Sequence, residues 1–223
     1  CELQLVHTQM MTARKGLPGH AVYNRVRNAS ELLLLMPTEQ PKDKDELQEW
    51  LIEYHCGKNW KEGDPKNGDI ITRGHPNLWD VSLITDMSAL FYIRQYDERL
   101  LDFNENISNW NVSNVTDMNN MFNNSKAFNQ PIDTWDVSNV EDMEAMFYES
   151  KAFNQPIGKW NVSNVTNMKM MFRDSLAFNQ PIGEWDVSNV DNMKAMFRGS
   201  KVFNQPIDKW NVSNVTNMEG MFC

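Results

Sequence analysis

The sequence predicts a repeat solenoid in which each unit supplies one short parallel β-strand followed by one or two helical turns. Two observations predict it: a period of 25 residues that does not slip, and an apolar spacing that changes inside each period from alternation to helical offsets. Trp110, Trp135, Trp160, Trp185 and Trp210 stand 25 residues apart, and so do Phe103, Phe128, Phe153, Phe178 and Phe203. One complete unit, 128–152, reads FNQPIDTWDVSNVEDMEAMFYESKA.

Each element of the unit has its own justification. Ile132, Trp135 and Val137 among polar neighbours read as the strand, the last two alternating inward. Ser138 stands where a helix N-cap belongs, with Glu141 three residues on as a capping box, and Val140, Met143, Met146 and Phe147 follow at helical offsets. The cap serine recurs as Ser113, Ser163, Ser188 and Ser213, whereas the box glutamate belongs to one unit alone. The Ser, Asn, Gln and Pro of the remaining stretch turn the chain back toward the next strand. A single unit has too few apolar side chains to offset the ordering of its own backbone. Copies must therefore stack, with strands ~4.8 Å apart and each tryptophan on its equivalent in the next copy. Asn104, Asn129, Asn154, Asn179 and Asn204 then form a ladder that satisfies buried backbone groups.

Upstream, Trp79-Asp80-Val81-Ser82 with Asp86-Met87 and Phe91 is a further copy. It lies 31 residues before Trp110, and the six extra residues, around Ile93 to Leu100, are expected to bulge as a loop. The array stops inside a unit at Met221-Phe222-Cys223, so the chain is expected to continue. The reading divides the chain into an unassigned helical segment (1–41), a lead-in (42–78) and the array (79–223). Within the first, residues 17–36 read as one or two helices with an apolar face.

Composition removes several classes of function. With 21 basic and 30 acidic residues the net charge is −9, which argues against a nucleic-acid partner. From Phe103 to Cys223 the array has 14 acidic and 9 basic residues, too mild an excess for strong steering. No apolar run approaches the ~20 residues of a membrane span, and no signal-peptide order opens the chain. Cys1, Cys56 and Cys223 are odd in number and widely spaced, which excludes a disulfide framework and any CxxC site. Cys1 at the first position raises lipidation, but the arbitrary end of the array weighs against reading meaning into the first residue.

Catalysis finds little support. His7, His20, His55 and His75 all lie outside the 25-residue array, so no histidine–nucleophile pair repeats with it. His55-Cys56 with His75 is a poor metal spacing, and Asp64 to Asp69 (DPKNGD) lacks the ligand spacing of a calcium loop and reads as a turn. No enzyme activity, cofactor or metal is expected.

The string W-[DN]-V-S-N-V-x-[DN]-M-x-x-M-F, preceded by F-N-Q-P-I, resembles the BspA-type leucine-rich-repeat surface proteins, with their mycoplasma-type 25-residue repeat. The match spans 79–222 and extends upstream, where Lys42-Asp43-Lys44-Asp45-Glu46-Leu47 opens a helix through Glu53 and Asn67-Gly68-Asp69-Ile70 leads into the first copy. The resemblance implies a leucine-rich-repeat-like solenoid with that helix as its N-terminal cap. It further implies a non-catalytic role in adhesion, protein contact or structure at the surface of a cell or virus particle. An intracellular or virion assembly scaffold, docked on a larger complex through residues 1–41, is the alternative. Residues 1–41 and the six-residue insertion match nothing in the family pattern.

A partner would meet the positions that alternate outward from the strands. The candidate face comprises Asn109 and Asn111; Asp133, Thr134 and Asp136; Lys159 and Asn161; Glu184 and Asp186; Lys209 and Asn211, with Ser108, Gly158, Gly183 and Asp208 alongside. The residue after each tryptophan alternates Asn and Asp, which keeps like carboxylates from facing one another on adjacent copies. A protein partner is expected; a carbohydrate ligand stays open without a residue pattern to support it. Nine N-x-[ST] sequons occur, most of them by-products of the repeat string, with Asn111, Asn161 and Asn211 the most presentable.

Overall fold

The computed structural model describes residues 40–58, 74–92 and 100–222. Two regular elements occur among them: helix α1, Lys44–Lys58, and a single 3-10 turn, Pro76–Leu78. The expected helices within 17–36, the turn at Asp64 to Asp69, the lead-in at 67–70 and most of the insertion (93–99) lie outside the described residues.

The copies stack. Asp86, Asp117, Asp142, Asn167, Asn192 and Asn217 pair in succession as isolated parallel bridges, each joining one copy to the next. Around each bridge, alternate residues donate to the following copy: Met118 to the Asp142 carbonyl at 3.0 Å, Asn120 to Glu144 at 2.8 Å, Phe122 to Met146 at 2.9 Å and Asn124 to Tyr148 at 2.7 Å. The next copy repeats the set from Met143 to Glu149, onto the carbonyls of Asn167 to Arg173.

These bridges do not grow into strands, and the strand-plus-helical-turn unit expected of a leucine-rich-repeat-like solenoid is not what the chain forms. Each copy is a succession of β-turns. In 128–152, backbone bonds close from Trp135 to Ile132, Val140 to Val137, Met146 to Met143, Tyr148 to Ala145 and Ser150 to Phe147, all between residues three apart. Two residues per copy have left-handed backbone: Ala145 at φ 52° and Glu149 at φ 53°, matched by Asn120 and Asn124, and by Met170 and Asp174. A positive φ at the third residue of a turn is the geometry of type II turns. It reverses the chain too often for an extended or helical run to persist. The expected helix N-cap is absent for the same reason: Ser138 N–H donates to Asp136 Oδ1 at 3.1 Å, forming a local Asx-turn with no helix behind it.

The turn corners carry the core. Ile132, Trp135, Val137, Val140, Met143, Met146 and Phe147 are buried, and the same positions are buried in the copies on either side. Phe122, Phe147, Phe172, Phe197 and Phe222 form a column at 5.6–5.7 Å between rings and within 8° of parallel. Trp110 and Trp135 lie parallel at 6.3 Å. Each indole N–H is satisfied by the copy before it: Trp135 by the Ile107 carbonyl, Trp160 by Ile132, Trp185 by Ile157 and Trp210 by Ile182, all between 3.0 and 3.2 Å. The asparagine ladder is present as well, Asn104 Oδ1 accepting from the backbone of Asn129 at 2.9 Å, and so on to Asn204.

Helix α1 closes the first copy. Asp43 caps it by accepting from the Glu46 amide at 2.9 Å, and Glu46 reaches back to the Lys42 amide at 2.8 Å. Leu47, Trp50 and Leu51, one helical face, are buried on the array, Trp50 meeting Trp79 edge-on at 5.6 Å. Gln48 Nε2 donates to the Leu90 carbonyl at 2.8 Å, and Lys44 Nζ binds Asp86 at 2.7 Å and Ser88 at 2.8 Å. The helix thereby gives the first copy hydrogen bonds of the kind that later copies receive from a neighbour.

Candidate binding groove

Glycine shapes one concavity of the array. Where other copies carry Ser108, Asp133 and Asp208, two copies carry Gly158 and Gly183. A Cβ at Gly158 would lie 2.3 Å from the Pro181 carbonyl oxygen, and one at Gly183 would lie 2.5 Å from that of Pro206. The backbone of the next copy thus occupies the space a side chain would need, and a strip of surface stays bare. The result is an open groove of about 470 Å³ along the stack. Exposed Pro156, Pro181 and Pro206 line it, and Asp133, Lys159, Glu184, Asp208 and Lys209 stand over it.

The charges of the groove fall into two groups. Lys209 Nζ is paired with Glu184, which holds its ammonium above the ordinary lysine range. Asp133, Lys159 and Asp208 form no salt bridge among the described residues.

The structure therefore brings together four residues of the candidate face expected from sequence: Asp133, Lys159, Glu184 and Lys209. Asn109 and Thr134 are exposed but do not line the groove; the amide of Asn109 is bound to Asn77 Oδ1 at 2.8 Å and the Thr134 hydroxyl to the Ser108 carbonyl at 3.3 Å. Asn111, Asp136, Asn161, Asp186 and Asn211 are exposed too, and each is engaged in the Asx-turn of its own copy, accepting from Ser113, Ser138, Ser163, Ser188 or Ser213 at 3.1–3.2 Å. Asp and Asn serve that acceptor role alike, which accounts for their interchange. The serine bonds, side chain first and backbone second, hold the Asp136 and Asp186 carboxyls below their usual range. Sequence reasoning missed the proline column, although the fixed F-N-Q-P-I string followed by Gly was the available signal.

The histidines make separate bonds. His55, buried on α1, lies 2.8 Å from Asp102, and His75 lies 3.3 Å from Glu105. No group of three metal-binding side chains forms among the described residues. Of the remaining sequons, Asn114, Asn164 and Asn214 spend their amide N–H groups on serine carbonyls of the preceding copy at 2.6–2.9 Å.

The family described as "Mycoplasma protein of unknown function, DUF285" matches residues 66–175 and again 130–223. The chain belongs to this family. The DUF285 match covers the turn-built copies and stops short of helix α1. No curated protein and no solved structure shows significant similarity to the chain. Among the described residues, no helix of this DUF285 protein is long and apolar enough to cross a membrane.

Proposed function

We propose that the array is a non-catalytic binding element that holds a protein partner along the proline-lined groove. The observation that carries this reading is the groove itself: an open, four-copy strip with apolar walls and charged rims, built on a floor that two glycines keep bare. No serine, threonine, cysteine or histidine lines it. The mild charge of the array and the unpaired carboxylates favour a polypeptide over a phosphate backbone.

We extend the reading to a kinship with BspA-type surface proteins, supported by the W-[DN]-V-S-N-V string, and to a place at the surface of a cell or virus particle. A photo-crosslinking amino acid at position 159 tests the binding reading against one at position 219, outside the groove. The expected outcome is a protein adduct from position 159 alone, whose purified partner binds wild-type protein and loses affinity on Lys159→Glu. Adducts equal at both positions, or none at either, would contradict the reading.

A further inference from the structure

We infer that the groove is shaped for an extended polypeptide segment bearing a basic side chain, an acidic one two residues later, and a basic one four residues beyond that. This rests on the binding reading above and adds the chemistry of the occupant.

The first ground is a match of repeats. In the core, Phe128, Phe153, Phe178 and Phe203 step along the stack at 6.2, 6.1 and 6.0 Å, and the column from Phe122 to Phe222 steps at 5.6–5.7 Å. An extended chain advances ~6.6 Å for every two residues and points alternate side chains the same way. A strand laid along the groove therefore presents one inward side chain to each copy, with a mismatch of ~0.4 to 1 Å per step that side-chain torsions absorb.

Charge is the second ground. Read copy by copy, the rim offers Asp133, then Lys159, then the Glu184–Lys209 pair, with Asp208 beside Lys209 in the last copy. The Glu184–Lys209 pair is neutral, and Asp208 beside it, which also raises the Lys209 pKa, leaves that end of the rim with one net negative charge. Asp133, Lys159 and Asp208 form no salt bridge among the described residues, and the order of negative, positive and negative calls for positive, negative and positive at positions i, i+2 and i+6 of the occupant.

The third ground is the floor. Pro156, Pro181 and Pro206 offer apolar rings with no amide hydrogen, and the carbonyls of Pro181 and Pro206 cover Gly158 and Gly183. An aromatic face that would stack on a sugar is absent from this lining.

The test is selection of a phage-displayed library of linear peptides on the purified chain. Counter-selection uses the triple variant Asp133→Lys, Lys159→Glu, Asp208→Lys, first shown to melt at the wild-type temperature. The expected result is enrichment of the basic-x-acidic-x-x-x-basic spacing. A synthetic peptide of that class should bind wild type at least about tenfold tighter than the variant, and its charge-reversed counterpart should show the opposite preference. Enriched peptides without that spacing that still lose binding to the variant would overturn this inference and leave the groove reading standing. No enrichment, or binding indifferent to the variant, would overturn both.

Discussion

The indole N–H of Trp160 donates to the carbonyl of Ile132 at 3.0 Å, a bond between neighbouring copies made inside the core. It joins two effects in one side chain: burial of a large ring and a second hydrogen bond to a carbonyl that already accepts the turn bond from Trp135 at 3.2 Å. Replacing Trp160 by Ala should cost ~3 to 5 kcal/mol. Trp160→Phe retains most of the burial and leaves the carbonyl only its turn bond from Trp135, and should cost roughly 0.5 to 1.5 kcal/mol. Urea unfolding of both variants measures the difference, and no loss for Trp160→Phe would show that the hydrogen bond is worth nothing.

Left-handed backbone at a residue with a Cβ is a cost that glycine removes. Ala145 and Ala195 have φ of 52° and 54°, and the equivalent position in the last copy is already Gly220 at φ 63°. Ala145→Gly should therefore stabilise the chain, by up to about 1 kcal/mol, despite the greater freedom of the unfolded glycine. A lower midpoint in urea would contradict the turn assignment.

The opposite change at the groove floor should be costly. Gly158→Ala places a methyl group 2.3 Å from the Pro181 carbonyl oxygen, so one copy must shift against the next. A loss of ~1 to 3 kcal/mol is expected, against near neutrality for Lys159→Ala on the exposed rim. Thermal melting of the two variants side by side checks this.

Asp117 offers a pH-dependent test. Burial first, and then the nearby carboxylates Asp142 and Asp86, push its carboxyl above the ordinary aspartate value of 3.8. The folded pKa is raised, so the ionised group destabilises the fold above that pKa, and the penalty vanishes below 3.8, where both states bind the proton. Later copies place Asn167, Asn192 and Asn217 at this position. Asp117→Asn should raise the melting temperature at neutral pH, by the equivalent of about 1 kcal/mol or less, and leave it unchanged near pH 3. A gain equal at both pH values would mean that charge is not its cause.

The period, the buried set and the stacking of copies were legible in the sequence; the local conformation was not. Val140, Met143 and Met146 stand three apart, a spacing that one face of a helix and the corners of successive β-turns share. The deciding signal was at Asn120 and Asn124 and at Gly199 and Gly220, residues suited to positive φ at the same two places in the period. Asp136-Val137-Ser138 was ambiguous in the same way, because a side-chain oxygen that can cap a helix can also close an Asx-turn. Of the groove, the charged rim was legible as outward positions. Its floor was not, since the close approach of Pro181 to Gly158 depends on how one copy sits on the next.

That seating is the central claim, and a double-mutant cycle on Phe147 and Phe172 tests it most directly. Their rings belong to adjacent copies and lie 5.7 Å apart, 6° from parallel. Phe147→Leu and Phe172→Leu, alone and together, should show a coupling of roughly 0.5 to 1.5 kcal/mol in urea unfolding. Losses that simply add would contradict the stacked arrangement.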